Sequence, residues 1–142
     1  MEFTEKITVA ILAGGISSRF GSSKLEAIFK GKRLINGALE IAGSISSNVI
    51  IISNQVDLKV DPACPVFPDI IIDKGPLAGI HAALTHASTE HVAIMPVDIP
   101  FLGKPIYDYL VTQYNGIVPV VVKSQKGLDR WILSGLKLCY RK

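Results

Sequence analysis

Short apolar runs alternate along the chain with stretches whose apolar positions recur at helical spacing. Ile7–Leu12 reads as a strand, and a Gly/Ser-rich loop from Ala13 to Ser23 follows it. Leu34–Ser44 sets Leu34, Ala38, Ile41 and Ala42 on one side of a helix. Asn48–Ser53 (NVIIIS) is apolar at nearly every position, the pattern of a strand covered on both faces. Pro76–Ala87 reads as a helix with proline in its first turn. His91–Met95 is a further buried strand, Lys104–Tyr114 a helix and Ile117–Val122 a last strand. The single tryptophan, Trp131, joins Leu128, Ile132 and Leu136 in an apolar stripe that fits a terminal helix packed on the core. Strands alternating with helices predict an α/β fold with a mainly parallel sheet.

That architecture directs attention to one edge, because ligands of open α/β sheets bind beyond the carboxyl ends of the strands. Three features fall there: Ala13–Lys24 after the first strand, Asn54 after the second, and Asp98 after His91–Met95. No repeat, linker or compositional break divides the chain, so residues 1–142 read as a single domain.

Composition narrows the class. With 142 residues, 49% hydrophobic and 19% charged, the chain can bury a core without disulfides or metals, and it is not disordered, collagen-like or coiled-coil. A mean hydropathy of +0.39 raises the question of a membrane span. No apolar run approaches the roughly 18 residues a span needs, so no membrane partner is expected. The net charge of +3 is scattered rather than gathered in a stripe, which gives nucleic-acid binding no support and suits a pocket for a small polyanion. Cys64 and Cys139 stand in no metal-binding spacing. His81, His86 and His91 recur at intervals that do not share a helical face, so they read as surface or helix-end residues. The N-terminus, MEFTEKITVAILAGG, turns glycine-rich too soon for a signal peptide, and the cytoplasm is the expected location.

The richest segment is LAGGISSRFGSSK, Leu12–Lys24. Gly14, Gly15 and Gly21 allow a tight turn and close approach of backbone N–H groups to a ligand, and Arg19 and Lys24 add positive charge. This chemistry suits a triphosphate or pyrophosphate. It is neither a Walker A loop, because Gly21 is followed by Ser22 and Ser23, nor a Rossmann fingerprint, because the first two glycines are adjacent.

LAGG-x-S-S-R-x-G-x-x-K resembles the signature of nucleotidyltransferases, and in particular of the molybdenum cofactor guanylyltransferases, the MobA-type family. The resemblance continues through FKGKRLI (Phe29–Ile35), GPLAGI (Gly75–Ile80) and VDIPFL (Val97–Leu102). Related cytidylyl- and sugar-nucleotide transferases share the first loop but usually not GPLAG. The resemblance implies a Rossmann-like three-layer α/β/α nucleotidyltransferase fold. It also implies transfer of GMP from Mg-GTP to molybdopterin, with release of pyrophosphate. On the matching positions, Leu12, Ala13 and Gly14 would lie against the base and nucleoside, and Gly15 would let the backbone pass the phosphates. Arg19 and Lys24 would hold the triphosphate, with Gly21 in the same loop. Asn54 would help bind the nucleotide. Asp69 would contact the nucleoside, with Asp73 as the alternative carboxylate. Gly75 stands at a helix entrance whose N–H groups attract phosphate or polar groups. Asp98 would bind Mg2+, which favours oxygen ligands and phosphates.

After Val122 the resemblance weakens. Family members continue with a strand and helices that frame the pterin side, and carry an N-x-N-T-P-like segment near their end. KSQKGLDRWILSGLKLCYRK supplies none, so the C-terminal part of the family fold is expected to be missing. A truncation or a reading-frame change near Lys126 would explain it. The alternatives are transfer of CTP to molybdopterin or of GTP to another phosphorylated acceptor, and a non-catalytic GTP-binding protein in cofactor assembly. The last would be a homodimer formed through the surface that a longer tail would cover.

Overall fold

The computed structural model describes residues 4–14, 24–55, 57–60, 63–72, 74–97, 103–114, 120–121 and 135–138. After a 3-10 turn at Thr4–Lys6 come β1 (Ile7–Leu12), a second 3-10 turn (Lys24–Glu26), β2 (Ile28–Phe29), β3 (Lys32–Arg33) and α1 (Leu34–Ile45). These are followed by β4 (Asn48–Ile52), β5 (Val66–Phe67), α2 (Pro76–His86), β6 (His91–Pro96), α3 (Lys104–Gln113), β7 (Val120–Val121) and β8 (Gly135–Leu138). The main sheet has the order β5-β4-β1-β6-β8-β7, and β2 with β3 forms a separate hairpin. The first four strands of that order are parallel, with Leu12 level with Ile52 on one side and Pro96 on the other.

The alternation of side chains along the strands divides the core into two layers. Ile7, Val9 and Ile11 of β1, Ile51 of β4 and Ala93 and Met95 of β6 pack with α1 and α3. Ala10, Ile50, Ile52, Val92 and Ile94 point the other way, onto α2. That helix is alanine-rich on its inner face, with Ala78, Ala82 and Ala83 buried, so it lies close to the sheet. Two polar groups in β1 and at its margin are satisfied locally. Thr8 Oγ1 lies 2.7 Å from Thr89 Oγ1, and the buried Ser46 hydroxyl donates to Ile7 O at 2.7 Å while accepting from the Asn48 N–H at 3.0 Å.

Several expectations are corrected. The buried stripe of α1 is Ile35, Ala38, Leu39, Ala42 and Ile45; it includes the expected Ala38 and Ala42, adds Ile35, Leu39 and Ile45, and leaves Leu34 and Ile41 half-buried against the same core cluster. Leu136 belongs to a strand and not to a terminal helix, because β8 runs antiparallel to β6 with Leu136 level with Ala93. The last expected strand is represented among the described residues by Val120–Val121, antiparallel to β8. The histidines go three separate ways. His81 is exposed, His86 stacks on Phe67 with centroids 4.1 Å apart, and His91 meets the Tyr114 ring edge-on. No helix among the described residues is long and apolar enough to cross a membrane.

Candidate functional site

The carboxyl ends of the parallel strands are joined by backbone hydrogen bonds that continue past the strands. Ala13 N donates to Ile52 O at 2.9 Å, Ser53 N to Phe67 O at 2.9 Å, and Val97 N to Leu12 O at 3.2 Å. Each strand therefore releases its following loop from a fixed point on one edge.

Just beyond that edge, Asn54 and Asp69 face each other. Asn54 Nδ2 donates to Asp69 Oδ2 at 3.1 Å, and the Asp69 N–H donates to Asn54 Oδ1 at 2.8 Å. The pair joins the loops that leave β4 and β5. Opposite stands Gly79 in the second turn of α2. A Cβ added there would lie 3.3 Å from Leu12 Cδ2 and 3.9 Å from Asp69 Oδ1. Gly14 borders the same region, since a Cβ on it would lie 3.9 Å from Ile52 O. At the entrance of α2, Gly75 has φ 62 and ψ −149, a backbone region open essentially to glycine alone. No side chain caps this helix end. Pro76 in the first turn has no N–H to offer, and the Ala78 N–H donates to Gly75 O at 3.1 Å. Ile70, Ile71 and Ile72, which follow Asp69 in the chain, and Leu77 of α2 are exposed.

Of the residues that the sequence marks, the structure brings Leu12, Ala13, Gly14, Asn54, Asp69 and Gly75 to one edge. Lys24 is placed by its backbone at the start of the 3-10 turn that precedes the hairpin. Gly15, Arg19, Gly21, Asp73 and Asp98 lie outside the described residues. Asp98 directly follows Val97, whose N–H is tied to the end of β1. Gly79 was not among the marked site residues. Its place in GPLAG was the available signal, but only the fold shows that the helix here passes close to both the Leu12 side chain and the Asp69 carboxylate. Among the described residues, no group of three or more His, Cys, Asp or Glu could hold a metal ion.

The domain model for MobA-like NTP transferases matches residues 9–140, beyond Val122, where the motif resemblance stops. A probable molybdenum cofactor guanylyltransferase of Flavobacterium johnsoniae is 33% identical over 111 residues, covering 78% of this chain and 58% of that protein. One from Clostridium perfringens is 34% identical over 129 residues, covering 87% and 63%. The chain thus spans 58% to 63% of the length of these curated relatives. A solved structure from Aquifex aeolicus superposes with a TM-score of 0.74 at 29% identity, covering 93% of this chain and 69% of that one. Molybdopterin-guanine dinucleotide biosynthesis protein A from Archaeoglobus fulgidus shares the fold, with a TM-score of 0.72 at 23% identity and coverage of 92% and 67%. From β1 through the glycine loop, the Asn54–Asp69 edge and GPLAG, the matched span takes in every part of the candidate site, and the chain belongs to the MobA-like NTP transferase domain family.

Proposed function

We propose that residues 1–142 act as one nucleotidyltransferase domain that transfers GMP from GTP to molybdopterin. The observation that carries this reading is the meeting of Leu12–Gly14, the Asn54–Asp69 pair and the Gly75 entrance of α2 on one sheet edge. The names of the relatives add the acceptor and the base. A phosphate oxygen of the acceptor would attack the α-phosphorus of GTP, and the bond from that phosphorus to the bridging oxygen would break, releasing pyrophosphate.

The chain's contribution is positioning and charge compensation, with no covalent enzyme intermediate. Leu12, Ala13 and Gly14 line the nucleoside, Asp69 accepts from it, and Asn54 keeps that carboxylate in place. Gly15 and Gly21 shape the phosphate loop, while Arg19 and Lys24 hold the triphosphate and offset charge on the departing pyrophosphate. Magnesium held by Asp98 and the nucleotide phosphates would neutralise phosphate charge. Of the two candidate carboxylates, Asp69 is favoured over Asp73 by its bonds to Asn54.

Calorimetric titration with GTP, CTP and ATP, each with magnesium, tests the nucleotide half of the proposal. Selective GTP binding is expected. Pyrophosphate release with molybdopterin, lost in Asp98→Ala, tests the transfer. Binding without turnover would leave a GTP-binding chain and remove the catalytic claim, and equal or absent binding of all three nucleotides would remove both.

A further inference from the structure

A second concave surface lies on the other side of the sheet from α2. A cleft of about 340 Å3 opens between the β2–β3 hairpin, the first turns of α1 and the end of β6. That volume falls in the range of small-molecule sites, about 300–1,000 Å3. Phe29, Leu34, Ile41, Met95, Pro96 and Val97 give it apolar walls. Gly37 of α1 borders it, and a Cβ there would meet no atom within 4 Å, so the space beside the helix is open.

The charges around this cleft are matched with one exception. Lys32 pairs with Glu40, and Arg33 donates to Glu26 at 2.7 Å. Lys30 has no carboxylate partner among the described residues, and its ammonium stands 5.5 Å from the centroid of the Phe29 ring. Lys30 is also the only non-glycine residue with positive φ among the described residues, at 50°, next to Gly31 at 77°. A two-residue hairpin turn with both φ values positive is most easily made by Asn-Gly or Gly-Gly. A lysine in the first position is strained, and the turn itself gains nothing from it. What the lysine does provide is an unmatched cation on an aromatic wall at the mouth of an apolar cleft.

We infer that this cleft binds a small amphiphilic anion. A flat or apolar body lies against Phe29 and Met95, and its phosphate or carboxylate is held by Lys30. Such a ligand has two sources, the phosphorylated acceptor of the transfer or a separate effector. The acceptor assignment rests on the proposed function, because the cleft wall at Val97 is one residue from Asp98. The binding of the anion does not rest on it.

Phenyl phosphate is the probe, titrated into the isotopically labelled protein and followed by amide NMR shifts. Saturable shifts are expected in residues 29–41 and 95–97, and removal of the anionic group, as in benzyl alcohol, lowers affinity about tenfold. Lys30→Gly removes the charge and relaxes the turn, while Gly37→Leu fills the cleft and favours the helix. Both variants are expected to lose probe binding with melting temperature unchanged or raised, and with GTP titration unchanged. In turnover, an increase of the acceptor KM alone in Lys30→Gly assigns the cleft to the acceptor. A change in turnover on adding phenyl phosphate to the parent protein at constant acceptor KM, absent in Lys30→Gly, assigns it to an effector. The inference is overturned if inorganic phosphate binds as tightly as phenyl phosphate, if the shifts centre on Asn54 and Asp69, or if Lys30→Gly binds the probe like the parent. Loss of GTP binding in the parent protein would remove the proposed function, and the probe titration would still decide the cleft.

Discussion

Asn54 and Asp69 bind each other in both directions, side chain to side chain at 3.1 Å and backbone to side chain at 2.8 Å, across a gap of 15 residues. One Asp69 oxygen is held by Asn54, and the other is the one nearest to Gly79. If this carboxylate reads the nucleoside, Asp69→Ala weakens GTP binding by about 1.5–3 kcal/mol, the usual contribution of a hydrogen bond to a charged group. Asn54→Ala produces a smaller loss, because the carboxylate remains but is no longer aimed. Calorimetry on both variants checks the order of the two effects.

The two glycines of α2 respond differently to a methyl group. Gly75→Ala meets open space but places an alanine at φ 62, ψ −149, and is expected to destabilise the fold by about 1–3 kcal/mol. Gly79→Ala gains about 1 kcal/mol of helix propensity and presses its methyl on the mobile end of the Leu12 side chain. Its melting temperature stays near the parent value, while nucleotide affinity falls as Leu12 shifts. Thermal denaturation paired with titration separates a backbone effect from a site effect.

These glycines show what the sequence made legible and what it did not. GPLAG announces a helix entrance, because Gly-Pro there has a local backbone meaning. The contact of Gly79 with Leu12 is a property of packing between distant segments. The same division holds for the strands. β1, β4 and β6 are mostly apolar and mostly buried on both faces, so they stand out. β5 is two residues enclosed by Pro65 and Pro68, too short for any period. The β2–β3 hairpin carries exposed Ile28 and a lysine where an asparagine would have marked the turn. Strand direction is not encoded in periodicity, so the antiparallel placement of β8 against β6 had no signal at all.

Tyr107 of α3 is almost fully buried, and its hydroxyl has no hydrogen-bond partner among the described residues. Tyr107→Phe removes an unpaired polar group without leaving a cavity and is expected to stabilise the protein by about 1 kcal/mol. Burial also pushes the phenol's pKa upward. The unfolded chain releases this proton above about pH 10 while the folded chain keeps it, so stability falls as pH rises beyond that point. Alkaline unfolding followed by circular dichroism should therefore begin at lower pH in the parent than in Tyr107→Phe.

Ser46 joins the end of α1 to the start of β1 and β4 through its hydroxyl. Ser46→Ala leaves the Ile7 carbonyl and the Asn48 N–H short of a partner in a buried setting. A loss of about 1–3 kcal/mol is expected in urea denaturation, with the slope of the transition unchanged.

The ties between strand ends also settle what this edge can vary. The N–H groups of Ala13 and Val97 donate to the carbonyls of Ile52 and Leu12, and the Ser53 N–H donates to that of Phe67, so donors and acceptors are used up together. Four neighbouring strands are latched at their ends, and the point where each loop leaves the sheet is held by the neighbouring strand rather than by the loop itself. The loops can then change in sequence without shifting the frame that carries them.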